Sequence, residues 1–480
     1  MPYTLARTSF VVFALILVTV SAVNTYSCRL LIRASQKTGT RQYELLALSA
    51  GGGTLHVLAA AAMLVLMFGN MCGSVVILGD AAHEVLGKVW DFDSWAAATI
   101  GISSMMLLPL SLLTRQMRSL EVVAVAALPV LAVLICILVA DCVSWGFPGI
   151  VSGEIPAVAP AGGLGGVLEA TSIIIFSLYV QPVLMPLLAE MPAGEGGTRT
   201  MKRAVDSTIL LYGITAFGSV GVFGAAAFGR DTLGNVLRNP LLSSPTAYAF
   251  LQVAVLLFVL VSAVPIVVAL RAVAEGIVSK KASWPKAGTW ASHALFTTVI
   301  VGASLAGGLL AKGRSEVVFA LTGATGVSLV CYVIPAAIHV LLWHRDKTHP
   351  SVCPVCSCVG YVDGKLCDDA SLGCSCVSDM DRLPPWLRED RLRSVEPFCA
   401  VDVGADGPSE GHTPSAVLGG LAEPLLGPGA AAESGRAGPP RDLVASRLEI
   451  ATHVAAPMLM GLAGLAVGAL GVSAALAPAV

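Results

Sequence analysis

The chain has 480 residues, of which 55% are hydrophobic and 12% are charged, and its mean hydropathy is +0.80. Because soluble proteins carry about 25% charged residues, this composition excludes an ordinary soluble domain. It predicts an all-α, polytopic protein embedded in a lipid bilayer. The formal net charge of -2 gives no basis for nucleic-acid binding, and we expect no such partner.

Ten apolar stretches approach the length of about 20 residues that crosses a bilayer as a helix. They lie near 8–30, 54–78, 96–114, 120–141, 166–190, 206–228, 246–273, 289–311, 315–343 and 449–479. The third stretch is short and is interrupted by Pro109. The sequence therefore predicts a bundle over 1–343, an insert over 344–448 and a last span over 449–479.

Lys and Arg are distributed unevenly between the loops. The loops after the odd-numbered spans hold thirteen of these residues, whereas the loops on the opposite side hold six. Because basic loops stay in the cytosol, the N-terminus is predicted to face outward or into a lumen, and the insert to be cytosolic. A signal peptide ending near Ser21 is the alternative for the first span, but the basic residues after it favour a true span.

The insert 344–448 differs in composition from the spans. Seven of the twelve cysteines lie between Cys353 and Cys399, and 401–438 is rich in Gly, Pro, Ala and Ser. Such a segment buries no core and is expected to be disordered. A zinc site is the functional alternative, because cytosolic cysteines seldom form disulfides. Its ligands would be Cys353, Cys356, Cys374 and Cys376, but their irregular spacing leads us to expect no metal. A misread intron is a further alternative.

The stretch from Gly162 to Arg203 is the most informative part of the sequence. Gln181-Pro182 and Pro186 interrupt an otherwise apolar span. Proline lacks a backbone donor and leaves helix carbonyls without partners. Within a bilayer such a break persists only where it faces protein or a watery cavity. Because secondary transporters place substrates at broken helices, the break is the predicted substrate site.

Five residues in or near this region are predicted to bind substrate: Asn70, Phe176, Ser177, Tyr179 and Gln181. Three of them have a purely structural alternative. Ser177 can bond back to its own helix, and Gln181 can satisfy backbone groups freed by Pro182. Asn70 can make an ordinary interhelical hydrogen bond.

Several short sequence motifs occur along the chain in an order that is informative. They include Tyr43-Glu44-Leu45-Leu46, Phe176-Ser177 through Pro182 and Pro186 to Glu190, Val261-Ser262-Ala263-Val264-Pro265, and Leu321-Thr322-Gly323-Ala324-Thr325-Gly326. Taken together, they resemble the amino acid/auxin permease family. The resemblance is strongest to its sodium-coupled neutral amino acid transporters and its vacuolar relatives.

The resemblance implies a LeuT-like fold of two inverted five-helix repeats plus an eleventh helix. It also implies secondary active transport of a neutral amino acid by alternating access, by symport with Na⁺ or H⁺. Met1-Pro2-Tyr3-Thr4-Leu5 is similar to the end of the family's first helix, so that helix is expected to be truncated here. Ser262 stands one position from the family's ion-binding hydroxyl, and Ala263 occupies the aligned place. A proton-coupled cycle and a uniport cycle therefore stand beside sodium coupling as alternatives.

Other function classes receive less support. No cluster of His, Asp and Glu recurs at a membrane boundary, so neither an enzyme nor a cofactor is expected. Two alternatives stay open: an amino-acid sensor of the same fold that does not transport, and a non-functional truncated fragment. The vacuole, another endomembrane and the plasma membrane are all compatible locations.

Overall fold

The computed structural model describes residues 1–90, 93–114, 120–192, 195–242, 244–278, 289–311, 314–348, 361–362, 365–366 and 451–476. Within these ranges the chain is a bundle of α-helices, with one antiparallel pair of two-residue strands, β1 (Tyr361–Val362) and β2 (Lys365–Leu366).

The first nine helices are α1 (Pro2–Arg7), α2 (Phe10–Thr38), α3 (Tyr43–Trp90), α4 (Trp95–Ile102), α5 (Leu108–Leu113), α6 (Leu120–Ser144), α7 (Pro148–Val151), α8 (Gly163–Ser177) and α9 (Gln181–Glu190). The others are α10 (Glu195–Asp206), α11 (Gly218–Phe228), α12 (Pro245–Val278), α13 (Trp290–Leu310), α14 (Ser315–Thr322), α15 (Ile334–Thr348) and α16 (Ala456–Leu476). π-Helical turns join α4 to α5, α10 to α11, and α14 to α15.

Among the described residues, nine helical segments are long and apolar enough to cross a membrane. They are Phe10–Thr38, Tyr43–Gly87, Trp95–Leu113, Gly163–Glu190, Gly196–Asp231, Thr246–Glu275, Trp290–Leu310, Ser315–Arg345 and His453–Ala475. Each overlaps one of the predicted spans. The prediction of an all-α, polytopic membrane protein is therefore confirmed.

Several helix ends in the structure differ from those predicted from the sequence. The second predicted span, 54–78, is only the middle of α3, which begins at Tyr43 and bends at Gly52, where φ is 67°. The fourth predicted stretch, 120–141, coincides with α6, but only Pro129–Ser144 of that helix is described as apolar, and this part is too short to be among the nine segments. A total of ten spans thus stays a prediction, as does the division at 343 and 449. Nearly all of the insert lies outside the described residues.

Local signals explain where the long helices begin and end. The Ser9 side chain accepts a hydrogen bond from the Val12 amide at the start of α2, and Gly39 ends that helix with a left-handed φ of 68°. Ser94 and Thr289 cap the first turns of α4 and α13 in the same way as Ser9. Such caps satisfy amides that the first turn of a helix leaves without partners.

Three connections meet at one end of the bundle. The segment after α7 bonds to the start of the chain, since Gly162 N donates to Arg7 O at 2.8 Å and Ala161 N donates to Thr8 O at 3.0 Å. The loop 229–242 joins them where Arg230 Nε donates to Glu154 O at 2.8 Å. The charge bias of the loops predicts that this end faces outward or into a lumen, and we call it the outer end.

The long helix α3 lies at the centre of the bundle and packs against α12, α13, α14 and α15. Glycines make this packing close. A Cβ at Gly326, in the π-helical turn after α14, would lie 2.6 Å from the Leu66 amide nitrogen of α3. That distance is shorter than any van der Waals contact, so only glycine fits here without a backbone shift.

We expect Gly326→Ala to lower the melting temperature by several degrees in detergent, because overpacking costs about 1–3 kcal/mol. Gly302→Ala is the matched control, since Gly302 lies in α13 and a Cβ there meets nothing within 4 Å. The control should leave the melting temperature unchanged or slightly raised. Equal behaviour of the two variants in thermal unfolding would show that the helices do not cross at Gly326.

Candidate functional site

The span Gly163–Glu190 is broken in its middle. Helix α8 ends at Ser177, α9 begins at Gln181, and Leu178, Tyr179 and Val180 lie between them. Pro182 falls in the first turn of α9, where a missing amide costs nothing. Pro186 does not interrupt the chain, since it lies inside α9. The predicted break is therefore present at Gln181-Pro182 but not at Pro186.

Two fully buried amide side chains satisfy the backbone of the break. Asn24 Nδ2, on α2, donates to the Leu178 carbonyl at 3.2 Å. Gln181 Nε2 donates to Asn24 Oδ1 at 3.2 Å, and Gln181 Oε1 accepts from the Val180 amide at 3.0 Å. Gln181 thus makes the structural contacts that sequence analysis left open as an alternative.

Aromatic residues and one amide side chain form a cluster beside the break. Asn70 Nδ2, on α3, donates to the Tyr179 hydroxyl at 2.6 Å. The Tyr179 ring lies 5.5 Å from the ring of Phe176, which in turn stacks on Phe319 of α14 at 4.8 Å. The structure therefore brings Asn70, Phe176 and Tyr179 together in one cluster that also contains Phe319, and their role in substrate binding stays a prediction.

Close helix contacts hold this cluster in place. A Cβ at Gly73 would lie 2.2 Å from the Phe319 ring, and one at Gly69 would lie 2.1 Å from the Thr322 hydroxyl. A Cβ at Gly323 would meet the Ser172 carbonyl of α8. Because these positions have no side chain, α3, α8 and α14 converge tightly around the break.

The two predicted serines point their hydroxyls into their own helices. Ser177 Oγ donates to the Ile173 carbonyl at 2.8 Å, and Ser262 Oγ donates to the Val259 carbonyl at 3.0 Å. Within the part of the chain that the structure describes, neither hydroxyl bonds another predicted site residue. Their proposed roles in substrate and ion binding stay predictions.

Sequence analysis missed Asn24, Phe319 and Tyr332. Asn24 had a readable signal, because it is an amide inside an apolar predicted span and so a polar group at membrane depth. Tyr332 is buried, and its hydroxyl lies near Asn24 without a hydrogen bond of normal geometry.

An open cavity of about 480 Å³ lies at the outer end, lined by Tyr3, Ala6, Arg7, Ala161, Gly162, Arg230, Asp231, Thr232 and Leu233. At its edge the Tyr3 hydroxyl donates to Glu169 Oε1 of α8 at 3.0 Å, and Arg7 Nε donates to the Tyr3 oxygen at 3.1 Å. Burial, and secondly the Glu169 charge, raises the pKa of Tyr3 to about 12. Tyr3 is therefore neutral and can donate at physiological pH.

The four cysteines considered as zinc ligands, Cys353, Cys356, Cys374 and Cys376, lie outside the described residues. Among the residues that are described, no group of three His, Cys, Asp or Glu side chains is arranged to hold a metal ion. The zinc alternative therefore stays untested.

A family model described as "Transmembrane amino acid transporter protein" matches residues 1–362. Human "Solute carrier family 38 member 10" is 26% identical over 352 residues, which is 71% of this chain and 30% of the relative. The mouse protein of that name is 25% identical over 352 residues, 71% of this chain and 31% of the relative.

A frog relative (Xenopus laevis) is named "Putative sodium-coupled neutral amino acid transporter 10" and is 22% identical over 351 residues, covering 71% of this chain and 32% of the relative. The chain thus spans about a third of the length of these curated relatives. The family match and the nine apolar helical segments agree on a multi-pass integral membrane protein. This chain belongs to the transmembrane amino acid transporter family, as its sequence predicted.

Proposed function

We propose that this protein is a secondary active transporter that moves a small neutral amino acid by alternating access, on a LeuT-like scaffold. The observation that carries the proposal is the break between α8 and α9, in the middle of a membrane-length segment. Its position matches the general rule that transporters bind substrate where a span is discontinuous near the midplane.

The ends of the two half-helices suit a zwitterion. The N-terminus of α9 carries the positive end of a helix dipole and can face a carboxylate, whereas the C-terminus of α8 carries the negative end and can face an ammonium group. The aromatic rings of Phe176, Tyr179 and Phe319 offer an uncharged surface to the substrate side chain. We infer that the preferred side chain is neutral because the described cluster contains no charged residue.

Each half of the broken helix is also held at its far end. At the outer end, Glu169 of α8 accepts the Tyr3 hydroxyl. At the opposite end, Arg41 Nη1 donates to the carbonyls of Leu188, Ala189 and Met191, at 3.2, 3.1 and 3.4 Å. The Arg41 charge restrains the end of α9 because it bonds three carbonyls. We infer that this contact and the Tyr3–Glu169 contact form and break alternately during transport.

The coupling ion is part of the proposal. The frog relative is named as sodium-coupled, which favours Na⁺, and H⁺ is the alternative. Ser262 lies three residues before Pro265, which is inside the continuous helix α12. We propose that its hydroxyl turns from the Val259 carbonyl to the ion when the ion binds.

The test is uptake by the purified chain in proteoliposomes loaded with buffer. A panel of labelled neutral amino acids is offered under an inward Na⁺ gradient, an inward H⁺ gradient, or neither. We expect concentrative uptake of at least one amino acid that needs one of the gradients. Saturable binding of an amino acid without uptake under any gradient would instead identify a sensor, and neither binding nor uptake would indicate a non-functional fragment.

Tyr179→Phe should lower kcat/KM for uptake about tenfold. The variant leaves Asn70 Nδ2 without its partner next to the substrate, and an unsatisfied buried polar group costs about 1–3 kcal/mol. Tyr43→Phe is the matched control. Tyr43 is also a buried tyrosine, but it lies at the start of α3, and its hydroxyl donates to the Val330 carbonyl rather than to a residue beside the break. The control should lose stability without a comparable loss of uptake; equal uptake by both variants would argue against a site at Tyr179.

Arg41→Ala should raise the KM for uptake from outside at least threefold at nearly unchanged melting temperature. Releasing the end of α9 favours the state that opens inward, and a smaller fraction of outward-facing protein lowers the apparent affinity. Arg33→Ala, which removes an exposed charge from the same end of α2, is the control and should leave KM unchanged. An unchanged KM in Arg41→Ala would contradict the proposed role of this contact.

A further inference from the structure

A second cavity, of about 520 Å³, lies at the outer end away from the break. It is lined by Asp80, His83, Glu84, Trp95, Ala96, Arg238 and Leu309. Its walls come from the end of α3, the start of α4, the end of α13 and the loop 229–242. Cavities of about 300–1,000 Å³ are the usual size for small-molecule sites. None of its lining residues belongs to the substrate site proposed above.

The acidic wall is built from one face of α3. Asp80, His83 and Glu84 stand at helical spacings of three and four, so they share a face. Asp80 is buried and is already occupied, since its two oxygens accept from Trp95 Nε1 at 2.9 Å and Asn235 Nδ2 at 2.8 Å. Asp80 therefore positions the aromatic wall and the loop, while Glu84 supplies a carboxylate to the cavity.

His83 adds a polar atom that lacks a protein partner. Its Nδ1 is buried and, among the residues that the structure describes, makes no hydrogen bond. A buried polar atom without a hydrogen bond costs free energy, which a ligand bound in the cavity can recover. The residue that carries this atom is part of the cavity lining.

Arg238 is the basic residue of the cavity lining, and the backbone next to it is held by α12. Arg238 ends the short 3₁₀ helix Val236–Arg238. The Leu237 carbonyl in that turn accepts from the Tyr248 hydroxyl at 2.7 Å and from Gln252 Nε2 at 2.8 Å. The loop thus presents its guanidinium group to the cavity from a fixed backbone.

We propose that this cavity is a second binding site, for a free zwitterionic amino acid, distinct from the transport site. Arg238 binds the carboxylate, Glu84 binds the ammonium group, and His83 Nδ1 takes part in one further hydrogen bond. Trp95 and Leu309 contact the side chain. The cavity has a carboxylate on α3 and a guanidinium group on the loop 229–242 in its lining, so a zwitterion can pair with both, whereas a simple anion or cation can pair with only one.

The site has a consequence for transport, and this part rests on the proposed function. Loop 229–242 already bonds α3 through Asn235, and at its other end Arg230 donates to Glu154, which follows α7. An amino acid that bridges Glu84 and Arg238 ties the loop more firmly to α3. It therefore slows any opening of the outer end, so transport is inhibited when the external amino acid is abundant.

Binding to the full chain in lipid nanodiscs tests the site directly. Isothermal titration with L-glutamine, L-alanine and L-leucine should give two molecules bound per chain for at least one of them. Arg238→Gln and Glu84→Gln should each weaken one of the two binding events at least tenfold. Arg314→Gln, at an exposed arginine of the same end outside the cavity, is the matched control and should bind like wild type.

The proposed function and this inference can fail separately. If uptake is absent but Arg238-dependent binding is present, the transport proposal fails and the second site stands. The second site is overturned if uptake occurs, only one molecule binds per chain, and that binding depends on Tyr179 but is unchanged in Arg238→Gln. Propionate has a carboxylate but no ammonium group. If it competes for the second site as strongly as the amino acid does, the assignment to a zwitterion is overturned.

Discussion

The centre of this protein depends on satisfying the backbone groups that a broken helix exposes inside a membrane. Lipid offers no hydrogen bonds, so each group left without a partner costs several kcal/mol. Asn24 and Gln181 meet this need for the Leu178 carbonyl and the Val180 amide, and they bond each other. Because one of these side chains comes from α2 and the other from α9, the break also joins two distant parts of the chain.

This constraint explains why the span is broken at Pro182 while other prolines lie inside continuous helices. Pro129 and Pro265 lie inside the continuous helices α6 and α12, and Pro186 lies inside α9. At Gln181-Pro182 the freed backbone groups have side-chain partners at hand. Interruption therefore requires a local helix breaker together with polar groups placed by the rest of the fold.

The sequence predicted the local features of the fold well, because length and apolarity are properties of each segment alone. Each of the nine apolar helical segments overlaps a predicted span, and the break at Gln181-Pro182 was found from proline chemistry. The partners of the break were harder to foresee. Asn24 is 154 residues from Leu178, and the Phe176–Phe319 stack depends on how α8 crosses α14. Hydroxyls such as Ser177 stay ambiguous, since the same side chain can bond its own helix or a ligand.

The long helix α3 gives these separate features a mechanical relation. Its middle carries Asn70 beside the break, and its outer end carries Asp80, which fixes both Trp95 and the loop 229–242. Its glycines allow α14 to approach closely, so a tilt of either helix changes the shape of the wall around Tyr179. A group that holds the loop against the outer end of α3 therefore acts on the same helix that carries Asn70 beside the break. Communication between the outer surface and the break then needs only movement of one helix, because interiors packed this densely transmit strain rather than absorb it.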